Sequence, residues 1–243
     1  RLEFITWGGA PMAARLVEQL AELPGRLCTA YGMTELGLYV TYSDPEESGE
    51  ALSTTIGRVH QRFDIRVADE NGVETPVDEQ GEIQACGDWL LAGYYRDLEA
   101  TRKALTEDGW FRTGDVAKVR ADENLEIVGR TKEMYISGGF NIYPREVEIA
   151  IASHPKVGLV AVLGVTDEMF GEVGYAFVEP KSGQTLDPGD VDARCRERLA
   201  NYKIPKHWSI DPELPRLPIG KIDKQTLRRR LPAPEKEPKN GRA

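Results

Sequence analysis

The sequence predicts a mixed fold in three stretches: an α/β opening, a β-rich middle and an α+β end. Three observations carry this. Strand, turn, helix and strand signals follow one another over residues 2–30. Short alternating segments separated by turns fill residues 56–127, and helical spacing interleaved with apolar strands returns after Arg130. At 243 residues the chain is long enough for one or two domains with a substantial core.

Taken in order, residues 2–7 alternate as a strand and run into a Gly8-Gly9-Ala10-Pro11 turn. Pro11 can open a helix, Leu16, Val17, Leu20 and Leu23 give that helix an apolar face, and Pro24-Gly25 stops it. Residues 26–30 read as the next strand, delivering residues 31–35 to the loop after it, the end of an α/β sheet where ligands bind. In the middle stretch, residues 63–67 and 81–85 alternate as strands and Asp69-Glu70-Asn71-Gly72 is a turn. A helix is expected over residues 97–105, with Asp97 as its N-cap and Lys103 near its end. Further on, residues 144–152 predict a helix with Val147 and Ile151 inward and Ile149 a further candidate. Residues 158–163 and 175–178 predict strands, and residues 190–199 a second helix. The stretch 232–243, rich in Pro, Lys, Glu and Gly, is expected to be disordered, and no internal repeat is present.

Composition excludes several functions. A net charge of -9 argues against broad affinity for nucleic acid, which asks for an excess of Lys and Arg. Cys28, Cys86 and Cys195 are too few and too far apart for a zinc pattern or a disulfide framework, so free thiols in a reducing cytoplasm are expected. His60, His154 and His207 are dispersed without metal-ligand spacing. No stretch approaches the ~20 apolar residues of a membrane span. The first seven residues lack the form of a signal peptide and read as a strand entered midway, so the chain is expected to begin inside a larger protein.

Four short motifs carry the chemistry. Tyr31-Gly32-Met33-Thr34-Glu35 places an aromatic face, a small residue, a hydroxyl and a carboxylate within five residues, a set able to stack a base, touch a phosphate and hold a magnesium ion. Arg112-Thr113-Gly114-Asp115 ends in an acid beside glycine, read as a turn, where a carboxylate can accept from both hydroxyls of a ribose. Gly129-Arg130-Thr131-Lys132-Glu133 adds basic groups. Gly220-Lys221, on a Pro/Gly-rich loop, can bring positive charge to a phosphate or carboxylate.

In this order, together with Gly8-Gly9-Ala10-Pro11 and the run from Gly129 through Glu148, these motifs resemble the C-terminal half of an AMP-forming, adenylating enzyme of the acyl-CoA synthetase, luciferase and peptide-synthetase adenylation-domain superfamily. The resemblance covers residues 4–231. It implies that residues 1–131 are the end of a large AMP-binding domain containing a small β-rich subdomain. Residues 132–231 would be a complete small mobile domain, hinged at Lys132. It implies ATP or AMP, Mg2+ and coenzyme A as ligands and a fatty or aromatic carboxylic acid as substrate. Tyr31 would stack on adenine, Thr34 touch the α-phosphate and Glu35 coordinate magnesium. Asp115 would hold the ribose and Arg130 the ribose and phosphate region. Gly9, Ala10, Pro11 and Gly32 would line the nucleotide site, and Gly138 and Gly139, within Ser137-Gly138-Gly139-Phe140-Asn141, the pantetheine passage. Lys221 would be the catalytic lysine of adenylation. Lys224 reads as a surface residue or a minor phosphate contact, and Arg228-Arg229-Arg230 as a solvated helix end, with contact to a coenzyme A phosphate as the alternative.

The chain departs from the superfamily in lacking the Ser/Thr/Gly-rich, lysine-containing phosphate loop that precedes the Gly-Gly-Ala-Pro segment, so on its own it is expected to be inert. Three alternatives stay open: an adenylation domain loading a carrier protein, a luciferase-like oxidase and a non-catalytic nucleotide-binding module. Oligomeric state is silent in the sequence.

Overall fold

The computed structural model describes residues 2–9, 12, 14–218 and 220–231. Ala10, Pro11 and the stretch 232–243 lie outside the described residues. The chain divides into two compact units, residues 1–131 and 132–243.

In the first unit, β1 (Phe4–Gly8) is followed by α1 (Ala14–Ala21), which leads to β2 (Arg26–Gly32) lying parallel to β1. Then come β3 (Tyr39–Tyr42), α2 (Gly49–Thr54) and β4 (Arg58–Val59), and the sheet order is β1-β2-β3-β4. Only Val17 of α1 is fully buried. Leu16 and Leu23, expected inside, are exposed: α1 turns Val17 toward Leu27 and Leu52, and it ends before Leu23 is reached.

The β-rich middle is a second, antiparallel sheet of β5 (Asp64–Ala68), β6 (Gln80–Cys86), β7 (Phe111–Val119) and β8 (Leu125–Arg130), in that order, with α3 (Leu98–Lys103) between β6 and β7. Asp97 caps α3 as its residue type predicts, accepting from the Ala100 N–H at 2.9 Å. Val67, Ile83, Ala85, Phe111, Ala117 and Leu125 of this sheet share one core with Tyr31, Leu36 and Val40. That shared core positions the first candidate motif against the second.

The second unit begins with the hairpin β9 (Tyr135–Ser137) and β10 (Phe140–Ile142), followed by α4 (Pro144–Ala152), β11 (Val157–Asp167) and β12 (Gly171–Pro180). After these come α5 (Pro188–Arg196), β13 (His207–Ile210) and α6 (Lys224–Arg230). β11 and β12 pair antiparallel along their length, and β13 joins β12 in parallel. Residues on β11 and β12 alternate between two cores. Val162, Ala176 and Val178 face α4 and α5, while Ala161, Leu163 and Phe177 face Leu214 and Leu227. Val147 and Ile151, one helical turn apart on α4, are wholly buried, each worth about 1.5–3 kcal/mol of transfer free energy. Ile149 is 56% exposed, because two residues from Val147 on a helix point to the opposite side.

Candidate functional site

Tyr31 and Gly32 are the last two residues of β2 rather than part of the loop beyond it, because β2 continues to pair with β3 as far as Gly32. Tyr31 is 8% exposed and packs in the shared core. Its hydroxyl donates to Oδ2 of Asp115 at 2.7 Å. Burial first, then the negative charge of Asp115, push this hydroxyl far above the ordinary tyrosine range. Gly32 has a packing reason within the protein: a Cβ there would lie 2.2 Å from the Leu38 carbonyl oxygen.

Thr34 and Glu35 follow on a single 3-10 turn, Thr34–Leu36, closed by Gly37 in the left-handed conformation. Thr34 is exposed and Glu35 half-buried. The Glu35 carbonyl accepts from Leu91 N–H at 2.9 Å, and its carboxylate accepts from the Tyr94 hydroxyl at 3.1 Å. Burial, then the Glu35 charge, raise the Tyr94 hydroxyl above its usual value. No group of three acidic, His or Cys side chains able to hold a metal occurs among the described residues. A lone carboxylate still fits magnesium, which takes one or two protein carboxylates and completes its shell with phosphate and water oxygens.

Asp115 sits inside β7, not in a turn. The pairing of β6 with β7 shifts between Glu82 and Gln84, and Gly114 at φ +73° sits in the extra length of β7 so created. This bulge re-aims the strand, the usual effect of such an irregularity. Glu82 pins it: one carboxylate oxygen accepts from Gly114 N–H at 3.0 Å and the other from Arg112 at 3.1 Å. Directly across on β8 stands Arg130, whose Nε donates to Oδ1 of Asp115 at 2.8 Å. The Asp115 carboxylate is therefore buried and held from two sides, by Tyr31 on one oxygen and Arg130 on the other. Each oxygen has two acceptor sites, so it can still take ligand hydroxyls. The Arg130 side chain is half exposed and free to reach an anion as well.

In the second unit, Lys132 is exposed at its first residue, within the 3-10 turn Thr131–Glu133. Gly138 and Gly139 form the tip of the β9–β10 hairpin at φ +56° and +85°, so the turn itself explains both glycines. Gly9, in the first unit, also has positive φ with open space around it. Lys221 is exposed and follows Gly220, φ +82°. Lys224 is no loose surface residue. Its ammonium lies 2.6 Å from Glu133 and 3.0 Å from Glu148. Arg228, Arg229 and Arg230 are exposed in the last turn of α6. All three cysteines are free, and no helix among the described residues is long and apolar enough to cross a membrane.

Sequence reasoning thus named Tyr31, Asp115 and Arg130, which the fold joins in one hydrogen-bonded chain. It passed over Tyr94, Glu82 and the partners of Lys224. Each of these acts across 30 to 91 residues of chain, a separation that leaves no local signature.

Residues 1–95 match the family model described as AMP-binding enzyme, and residues 146–221 match that of the AMP-binding enzyme C-terminal domain. The chain belongs to the AMP-binding enzymes. One match falls in each unit. Among AMP-binding enzyme relatives, a 3-[(3aS,4S,7aS)-7a-methyl-1,5-dioxo-octahydro-1H-inden-4-yl]propanoyl:CoA ligase of Rhodococcus jostii is 43% identical over 91% of this chain and 41% of its own length. The crystal structure of ATP-bound MatB from Rhodopseudomonas palustris superposes with a TM-score of 0.82 at 33% identity, over 93% of this chain and 44% of that one. The o-succinylbenzoate CoA synthetase of Bacillus subtilis, in complex with its acyl-adenylate intermediate, gives 0.81 at 31% identity over 92% and 45%. The chain therefore spans less than half the length of the relatives it matches.

Proposed function

We propose that this chain is the C-terminal portion of an AMP-forming acyl-CoA synthetase. Residues 1–131 would close the large nucleotide-binding domain, and residues 132–231 form the small mobile domain that turns at Lys132. The carrying observation is the buried carboxylate of Asp115, fixed by Tyr31 and Arg130 in a chain 43% identical to a CoA ligase.

In the first half-reaction a carboxylate oxygen attacks the α-phosphorus of ATP and pyrophosphate leaves. In the second the coenzyme A sulfur attacks the acyl carbon and AMP leaves. The groups supplied here bind and stabilise charge rather than move protons. Asp115 accepts from the ribose hydroxyls without having to reorganise, since Tyr31 and Arg130 already fix its orientation. Tyr31, although almost wholly buried, stacks on adenine. Thr34 donates to the α-phosphate and Arg130 adds positive charge beside it, with Gly9, Ala10, Pro11 and Gly32 as further residues of the nucleotide site. Glu35, held by Tyr94, would be the protein ligand for Mg2+, which would neutralise phosphate charge when bound. Lys221 stabilises the charge that develops during adenylation. Gly138 and Gly139 border the path of the pantetheine thiol in the second half-reaction.

The substrate is a fatty or aromatic carboxylic acid, and the reaction takes place in the cytoplasm. The test is pyrophosphate release by the full-length enzyme against short, long and aromatic acids, with and without coenzyme A. Release with one class of acid, followed by its CoA thioester, supports the reading. Release without any thioester points to a carrier-bound acceptor, and none in a folded enzyme overturns the ligase assignment.

A further inference from the structure

Lys221 stands on a loop that is braced at both ends. Before it, Glu179 of β12 accepts from Leu214 N–H at 2.8 Å and from the Arg216 guanidinium at 2.7 and 2.9 Å. Across the loop, Leu217 N–H donates to the Lys221 carbonyl at 2.7 Å, Arg216 bridges to Ile222, and Asp223 N–H donates to the Pro215 carbonyl at 2.8 Å. Asp223 then caps α6 through Gln225 and Thr226.

Lys224, three residues after Lys221, closes the brace. Its side chain is only 28% exposed, and its ammonium bonds Glu133, next to the unit boundary, and Glu148 on α4. Glu148 is itself fixed, accepting from Val162 N–H at 2.9 Å. Burial works against the Lys224 charge, but Glu148 and Glu133 outweigh it and hold the ammonium above the ordinary lysine range. One cation thus ties three elements: the turn Thr131–Glu133, α4 and the start of α6.

We propose that Lys224 is a positioning residue for Lys221, fastening the loop that carries it to the turn just after the unit boundary so that loop and turn move as one body. The inference rests on the reading of Lys221 as the lysine of adenylation. Lys221 then does not search for its target on a slack loop; it arrives when the turn does.

The test uses the full-length enzyme, with Lys221→Ala as reference and both half-reactions measured, the second from supplied acyl-adenylate. Lys224→Met is expected to lower kcat for adenylation about 10- to 100-fold, the range for a lost supporting contact. The KM for ATP should stay within about threefold, because uniform binding is untouched. Thioester formation should change by less than about threefold, and Lys224→Arg should restore most of the loss. Should Lys224→Met fail to fold, Glu133→Gln decides in the same way. Unchanged adenylation in Lys224→Met while Lys221→Ala abolishes it overturns the inference and leaves the functional reading intact. Equal slowing of both half-reactions assigns Lys224 a structural role and also overturns it. Full adenylation by Lys221→Ala overturns the reading on which it rests.

Discussion

In the first unit the carboxylate of Asp115 is buried and held from both sides before any ligand arrives. In the second, Lys221 is exposed, and only the backbone around it is braced. The two presentations suit different tasks. In the proposed reading Asp115 keeps hold of a nucleotide through two chemical steps and gains from rigidity, since its orientation costs nothing at the moment of binding. In the proposed reading Lys221 serves one step and must come and go, which suits a solvated side chain on a firm base. Tyr31 and Arg130 make the first arrangement, and Glu179 and Lys224 the second.

The comparison breaks most readily through stability. Asp115→Ala leaves the buried Tyr31 hydroxyl without its acceptor and is expected to cost about 2–3 kcal/mol. Tyr31→Phe, which leaves one carboxylate oxygen short of a donor, is expected to cost about 1–2 kcal/mol. Lys224→Met removes partly solvated ion pairs and is expected to cost only about 1 kcal/mol. Denaturant unfolding separates these values, followed by tryptophan fluorescence, to which Trp7, Trp89 and Trp110 contribute from the first unit and Trp208 from the second. If Lys224→Met proves costlier than Asp115→Ala, the contrast between a buried and a partly solvated brace is wrong.

Thiol chemistry sharpens it at a smaller scale. Cys195 is wholly buried, and burial raises its thiol from 9.0 to about 11, with Asp192 adding to the effect. Cys28 is also buried, whereas Cys86 is half-buried. In the native chain a thiol reagent at pH 8 should modify Cys86 first, and reach Cys28 and Cys195 only on unfolding. Because the folded state raises the Cys195 value, its contribution is complete below the unfolded value near 9 and is lost as pH rises toward 11. Unfolding midpoints measured across pH 8 to 11 should therefore fall for the native chain and fall less for Cys195→Ala.

Much of this was legible in the sequence because the signals are local. Asp97 capping α3, Val147 and Ile151 turning inward, and the aligned motifs with Tyr31, Asp115 and Arg130 each depend on neighbours a few residues away. The misreadings came from long-range effects. Asp115 beside Gly114 has the local look of a turn, but Glu82 on the neighbouring strand draws it into a bulge within β7. Leu16 and Leu23 obey helical spacing, yet the packed face of α1 is set by Leu27 and Leu52. Lys224 reads as surface because both its carboxylate partners lie more than 70 residues earlier in the chain.

The most direct measurement partitions the two half-reactions of the full-length enzyme between Asp115→Ala and Lys221→Ala. Asp115→Ala is expected to slow both adenylation and thioester formation. Lys221→Ala should slow adenylation by about 100-fold or more while leaving thioester formation from supplied acyl-adenylate nearly unchanged. Equal slowing of the two steps by Lys221→Ala, or no slowing of either, would contradict the division of labour drawn between the two units.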